Sequence, residues 1–237
     1  ASRLIAQIMS CPLVGDWGYE QIAAPYADGM NRKSDYQCFK SHHTYSEIQK
    51  VSQLKIHKII YVIRDPRDIV ISGSHYFSFS FSWLPTFPKR GLGRLPMRVL
   101  NKLVPLKEKR RQMIGAVLQG DSKINPWLKT PWARHYKGFQ NRDILFISYE
   151  DLLTDPMEQS IRITDYLDTE VSRSHLRKSI EEQSFNRLKQ VVNKQDDKQF
   201  KRLMRQGSKG YWQKEFSAED RLKFKTVLLN DYEFYTF

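Results

Sequence analysis

Residues 58–72 read KIIYVIRDPRDIVIS, and the change of pattern halfway along this stretch decides the fold. Ile59 to Arg64 is a β-branched, nearly continuous apolar run, the length and composition of a strand buried on both faces of a parallel sheet covered by helices. At Asp65-Pro66 the pattern breaks. Asp65 suits a helix N-cap and Pro66 the first helical position, where its missing N–H costs no hydrogen bond. Ile69, Val70 and Ser72 continue as the first turns of a helix, whose N-terminus offers backbone N–H groups and the positive end of its dipole to an anion. Arg64 is therefore expected at the carboxyl end of a strand, the edge of an open α/β sheet where ligands bind. Alone it reads either as a solvated strand-end arginine or as a planar, permanently charged fork aimed at a phosphate. Arg67 and Asp68 read as local helix electrostatics with little bearing on a ligand.

Composition sets the outer limits. A chain of 237 residues can build one large α/β domain, and no shift in composition demands a second. There is no run of eighteen apolar residues and no signal-peptide pattern, so no membrane span or leader is expected. Two cysteines, Cys11 and Cys38, are too few for a disulfide framework and fit a reducing, cytoplasmic compartment. The net charge of +13 and pI of about 9.7 suit polyanionic ligands, nucleic acid or acidic membranes, and only the location of the charge sorts these. Much of it lies in one place. From Lys89 to Arg111 nine Lys or Arg stand against Glu108 alone, inside a Pro- and Gly-interrupted tract at about 73–111 that reads as a lid-like insertion. Its readings are a solvated basic face, attraction of an anionic acceptor, peripheral membrane contact, or docking of a carrier protein.

Along the chain, Ser2 to Met9 reads as a helix with Leu4, Ile5 and Ile8 on its apolar face. Residues 11–37 read as loop with short helical pieces, in which Trp17, Tyr19 and Tyr26 line either a pocket or the core and rim. Tyr36 to Lys40 reads as a short strand followed by Ser41, His42 and His43. Histidine suits a general base because its pKa lies near neutrality, and a lysine supplies charge for a leaving oxygen. Lys40 and His42 fall on one side of an extended chain, with His43 as the rival. Ile114 to Phe139 reads as helix, turn and helix, with Asn125-Pro126-Trp127 at the second N-terminus and Trp127, Trp132 and Tyr136 on successive turns. Asp143 to Tyr149 reads as a buried strand that Glu150-Asp151 ends. Asp155-Pro156 starts a helix with Met157, Ile161, Thr164 and Leu167 on one stripe. Lys189 to Arg202 reads as a polar mobile loop.

Four segments, Phe39-Lys40-Ser41-His42-His43, YVIRDPRDIVIS, Tyr149-Glu150-Asp151 and Arg205-Gln206-Gly207-Ser208-Lys209-Gly210-Tyr211-Trp212, resemble in order and spacing the cytosolic-type sulfotransferases that use 3′-phosphoadenosine 5′-phosphosulfate (PAPS), in a bacterial-looking member. The family's segments are Lys-Thr-His, Arg-x-Pro-(Lys/Arg)-Asp-x-x-x-Ser, Tyr-Glu-Asp and Arg-Lys-Gly-x-x-Gly-x-Trp. The resemblance implies a single domain over 1–237 with a central parallel sheet flanked by helices, similar to P-loop nucleotide kinases. It implies sulfonyl transfer without metal to a hydroxyl or amine of a small-molecule acceptor, anionic or carrier-borne ones among them, with 3′,5′-bisphosphoadenosine (PAP) as product and no nucleic acid as partner. His42 would be the general base and Lys40 would stabilise the bridging oxygen. Arg64, Ser72, Arg205, Gln206 and Gly207 would hold the 3′-phosphate, with Gln206 replacing the usual lysine at the loss of one charge. Tyr149 would approach the adenine, Phe185 would stack on it and Met204 would touch its edge. Ser2 and Arg3 would stand where the family's phosphate loop, Pro-Lys-Ser-Gly-Thr-Thr-Trp, has its two threonines. That loop's strand, glycine and lysine are expected ahead of Ala1. Acceptor and oligomeric state stay open, and two other readings stand beside this one: a P-loop kinase of small molecules, which needs a lysine-bearing phosphate loop and Mg²⁺ ligands, and a non-catalytic basic module binding nucleic acid or anionic membrane.

Overall fold

The computed structural model describes residues 1–15, 27–29, 31–50, 55–80, 99, 101–195 and 209–228. The chain packs as two compact units, one from residues 1–64 and 138–207, the other from 65–137 and 208–237.

The first unit carries every strand among the described residues. It opens with α1 (Ser2–Ile8), whose buried residues are Leu4, Ala6 and Ile8. Ile5 is only half-buried, so the apolar face turns slightly from the expected one. Leu4 and Ile8 pack with Leu176 of α8 (Arg173–Glu182), and Met9, Met157 and Ile161 close over them. After α1 the chain forms β1 (Leu13–Gly15), which pairs antiparallel with β2 (Ala27–Asp28) and parallel with β3 (Cys38–Lys40). Strands of three and two residues cannot display alternation, which is why 11–37 reads as loop; residues 16–26, with Trp17, Tyr19 and Tyr26, lie outside the described residues.

The strand at residues 60–63 is the one foreseen. β4 (Ile60–Ile63) runs parallel to β5 (Leu145–Ser148), with Ile60 opposite Leu145 and Ile63 opposite Ser148. The residues of β4 are half-buried rather than enclosed on both faces, and in β5 only Ile147 is buried. Aromatic rings supply the cover. Tyr61 packs against Phe139 and Phe146 at centroid distances of 4.7 and 5.4 Å, and Phe139 meets Tyr45 edge-on at 5.7 Å.

Glu150 and Asp151 do not end β5. They open a short helix, α6 (Tyr149–Thr154), because Ser148 caps it by accepting the Asp151 N–H. Next come α7 (Pro156–Tyr166), capped by Asp155 as its sequence predicts, then α8. A further correction falls at α9 (Phe185–Gln195), which takes in the first part of the expected 189–202 loop. Lys, Gln and Asn make that segment polar, but Lys and Gln are also good helix formers.

In the second unit, Asp65 caps α3 (Pro66–Tyr76), taking the Arg67 N–H at 2.8 Å, with Pro66 at N1. Helix α3 packs on α4 (Leu106–Gln119). Contact is close because position 73 is glycine: a Cβ there would fall 2.5 Å from the Met113 methyl carbon. Together α3 and α4 take in both ends of the 73–111 tract, and residues 99 and 101–103 are helical as well; 81–98 and 100 lie outside the described residues. The second helix expected after Asn125 is a single 3₁₀ turn, Pro126–Leu128, followed by α5 (Trp132–Lys137), where Trp132 and Tyr136 stack at 5.8 Å. The last described elements of the unit are α10 (Trp212–Glu215) and α11 (Ala218–Leu228), joined through Phe216, whose ring lies 5.4 Å from the buried Phe224.

Candidate active site

The register of β4 against β5 fixes the first part of the site. Ile63 lies opposite Ser148, so the next residue on each strand, Arg64 and Tyr149, emerge side by side at the carboxyl edge of a parallel pair. There the Arg64 guanidinium carbon stands 4.5 Å from the centroid of the Tyr149 ring. The Arg64 Nε is buried and has no hydrogen-bond partner among the described residues. A buried donor left unsatisfied costs about 1–3 kcal/mol, and a cation over an aromatic face recovers only part of that. The arrangement holds a charged fork over Tyr149 with one donor unpaired among the described residues.

Strand β3 presents the second part. Lys40 ends it, opposite Gly15 of β1, and is exposed. His42 lies past the end of the strand, so the strand alternation that would align it with Lys40 stops one residue short of Ser41. His43 takes part in local structure: its Nδ1 is 3.7 Å from Glu47 Oε2 and its backbone N–H donates to Ser41 Oγ at 3.1 Å. Glu47 in turn accepts the Thr44 N–H at 2.9 Å, the reciprocal half of a capping box at the start of α2 (Tyr45–Ile48). The Thr-x-x-Glu spacing of residues 44–47 is the sequence signal for this role.

The remaining predicted residues are placed as follows. Ser2 and Arg3 occupy the first turn of α1, where the Ser2 carbonyl accepts from the Cys38 thiol at 3.7 Å. Phe185 begins α9, half-buried, with the Lys189 ammonium 5.9 Å from its ring. Leading into it, Gln183 Nε2 donates to Gln7 Oε1 at 2.6 Å, Gln7 also bonds Glu182, and His175 Nε2 meets the Gln7 carbonyl at 3.1 Å. Ser72 is half-buried on α3 in the second unit. Met204, Arg205, Gln206 and Gly207 lie outside the described residues.

Arg67 and Asp68 depart most from expectation. Both are buried, 5% and 2% exposed, in the first turn of α3. Arg67 grips Asp65 with two nitrogens, Nε at 2.9 Å and Nη2 at 2.7 Å, and lays its guanidinium 3.7 Å from the centroid of the Trp212 ring. Asp68 accepts the Gly210 N–H at 2.6 Å and the Trp212 N–H at 3.1 Å. The Arg67–Asp65 pair is local to the helix, as expected, whereas Asp68 binds a distant segment; no local pattern could reveal a partner more than 140 residues away. In the basic tract, Arg110 is bound to the carboxylate and carbonyl of Glu215, and Arg111 to Glu108 at 2.7 Å, so part of its charge is answered internally.

Comparison with solved structures places the fold. The crystal structure of mouse sulfotransferase SULT7A1 complexed with PAP superposes with a TM-score of 0.65 at 20% identity, over 97% of this chain and 78% of that one. Retinol dehydratase in complex with androsterone and inactive cofactor PAP gives 0.52 at 22% identity, over 76% of this chain and 48% of the other. The architecture is that of the sulfotransferase fold, α/β with parallel strands, as the sequence predicts. The family model for the sulfotransferase domain matches residues 2–232, and the chain belongs to that family. Among curated proteins it is 26% identical to human sulfotransferase 1C2 over 108 residues, 40% of this chain and 36% of the relative. It is 21% identical to mouse sulfotransferase 1 family member D1 over 179 residues, 71% and 52% respectively. The chain thus spans about half, or less, of the length of these curated relatives, which are mammalian and lend nothing to the bacterial cast expected of the sequence.

Proposed function

We propose that the chain is a PAPS-dependent sulfotransferase domain, moving a sulfonyl group to a hydroxyl or amine of a small-molecule acceptor. The observation that carries this reading is Arg64: a guanidinium with a buried, unanswered Nε, held over Tyr149 in the family's Arg-x-Pro-x-Asp segment. The fit to a phosphate is chemical, because a rigid cationic fork pairs with phosphate oxygens through charge-assisted bonds. Arg64, Ser72, Arg205, Gln206 and Gly207 hold the 3′-phosphate; Ser2 and Arg3 face the 5′ side; Tyr149, Phe185 and Met204 receive the adenine. His42 removes the acceptor proton as the acceptor oxygen or nitrogen attacks sulfur. The bond from sulfur to the bridging oxygen breaks in line, and the Lys40 ammonium answers the charge that develops on that oxygen. His42 is favoured over His43 because it stands two residues after Lys40, in the family's Lys-x-His register.

The acceptor is read as a small molecule; androsterone is held by the retinol dehydratase neighbour. An anionic or carrier-borne acceptor draws support from the basic tract. Cys11 and Cys38 are both free thiols, in keeping with a cytoplasmic setting. Thermal melting with PAP tests the proposal. Saturation at about 100 Kd contributes roughly 2.7 kcal/mol, a rise of about 5–11 °C for a chain of this size. A flat melting temperature, with a shift on adding magnesium and ATP instead, moves the reading to a kinase.

A further inference from the structure

The basic tract turns apolar side chains toward water. Residues 99 and 101–103 are helical and lead through Pro105, the N-cap residue, into α4. Their inner side is held in two ways: Asn101 Oδ1 accepts the N–H of the buried Phe79 at 2.8 Å, and Val104 is itself buried. Val99 and Leu103 lie four residues apart on the opposite face of the turn. They are 56% and 63% exposed, and Leu106, the first residue of α4, is 39% exposed. A helix that serves only a core buries such residues and gives its amide to solvent. Here the order is reversed, and the bond from Phe79 to Asn101 holds it reversed.

Cations flank these side chains. Lys102 and Lys107 are both exposed. The acids beside them are bound to other cations: Glu108 to Arg111 at 2.7 Å, and Glu219, which feels the charge of Lys107, to Lys223 at 2.8 Å. Apolar and cationic side chains on one surface match the two layers of an anionic bilayer. Lysine ammonium groups meet the headgroups, while aliphatic side chains enter the acyl boundary. We propose that Val99, Leu103 and Leu106, flanked by Lys102 and Lys107, form a docking surface for an anionic lipid bilayer. No helix among the described residues is long and apolar enough to cross a membrane, so this contact is made from one side. The net charge of +13 draws the chain toward such a surface. Vesicle binding and the response to PAP are read separately, so either can fail alone.

Flotation with large unilamellar vesicles tests the proposal, using phosphatidylcholine alone and a mixture of about 70:30 phosphatidylcholine and phosphatidylserine at about 0.1 M salt. The full chain partitions onto the mixed vesicles about tenfold or more above phosphatidylcholine. Lys102→Gln with Lys107→Gln lowers partitioning onto the mixed vesicles by about tenfold or more, and Val99→Ser with Leu103→Ser lowers it by a similar factor. Both pairs sit at exposed positions, so the variants melt within about 2 °C of wild type. Should the serine pair melt lower, Leu103→Gln alone repeats the test. Wild type that stays with the lipid-free fraction, or that binds both vesicles equally, overturns the proposal. So does a serine pair that binds as well as wild type, which leaves diffuse charge attraction as the whole effect. A wild-type dimer in light scattering that the serine pair dissolves, without vesicle binding, also overturns it and assigns the face to a second copy of the chain.

Discussion

Replacing Arg64 by methionine separates a residue that holds the fold together from one that waits for a ligand. In the unliganded protein its Nε is buried without a partner among the described residues, a burden of about 1–3 kcal/mol that Met removes. The contact with Tyr149 at 4.5 Å contributes about 0.5–2 kcal/mol in the other direction, and Met, flexible and of similar reach, fills most of the vacated volume. The two effects nearly cancel, with the midpoint on the stabilising side. Unliganded Arg64→Met is therefore expected to melt at the wild-type temperature or a few degrees above it. Binding reverses the balance: loss of one charged hydrogen-bonding partner for phosphate costs about 1.5–3 kcal/mol, raising the Kd for PAP about 10- to 150-fold. Differential scanning calorimetry and isothermal titration on the same preparations measure both numbers. A variant that melts 10 °C lower while binding PAP as tightly as wild type refutes the reasoning, because Arg64 would then be a structural cation.

Other expectations concern separate parts of the molecule. His42→Ala should reduce turnover by about 100-fold or more while PAP binding stays within twofold, since general-base catalysis contributes 10²–10⁴; the same loss in His43→Ala with His42→Ala active would exchange their roles. His43→Ala itself should lower the melting temperature slightly, through loss of the Glu47 contact at 3.7 Å, with turnover largely kept. Gly73→Ala should destabilise by about 1–3 kcal/mol, because its Cβ would lie 2.5 Å from the end of the fully buried Met113. A rise in melting temperature there would mean that Met113 swings aside and the alanine's helix propensity wins. Burial, with the neighbouring Cys11 second, pushes the Cys38 thiol up to about 12. An unfolded chain releases that proton near the ordinary thiol value of about 8.5, so the contribution is fully present below that pH and declines from there towards pH 12. Native Cys38 should resist iodoacetamide at pH 8.5 and react on adding urea; rapid native alkylation would contradict its enclosure.

What the sequence revealed is chemistry confined to a few adjacent residues. The turn from β4 into α3 was legible because Asp65 and Pro66 each have a strong positional preference, and α7 was legible from Asp155-Pro156 for the same reason. β1 and β2 were not, because three and two residues are too few for an alternation to repeat. The start of α4 was hidden by its charge: Lys107, Glu108, Lys109, Arg110 and Arg111 looked like a solvated insertion, although Lys, Glu and Arg favour helix as strongly as they favour water. In the site, Arg64 and Tyr149 were legible as strand ends, and the parallel register that makes them neighbours followed only from the pairing of the strands. The attachment of Asp68 to Gly210 and Trp212 was illegible in principle, since nothing within a window of several residues specifies a partner so far along the chain.

The four-residue pairing of β4 with β5 bears on how this region can change over evolutionary time. A substitution in either strand alters one ring or one methyl group, but adding or deleting a single amino acid inverts which way every later side chain points. Arg64 would then leave the Tyr149 side altogether. Lineages should accordingly accumulate length variation in the connections and almost none between Ile60 and Arg64, whatever happens to the identities in between.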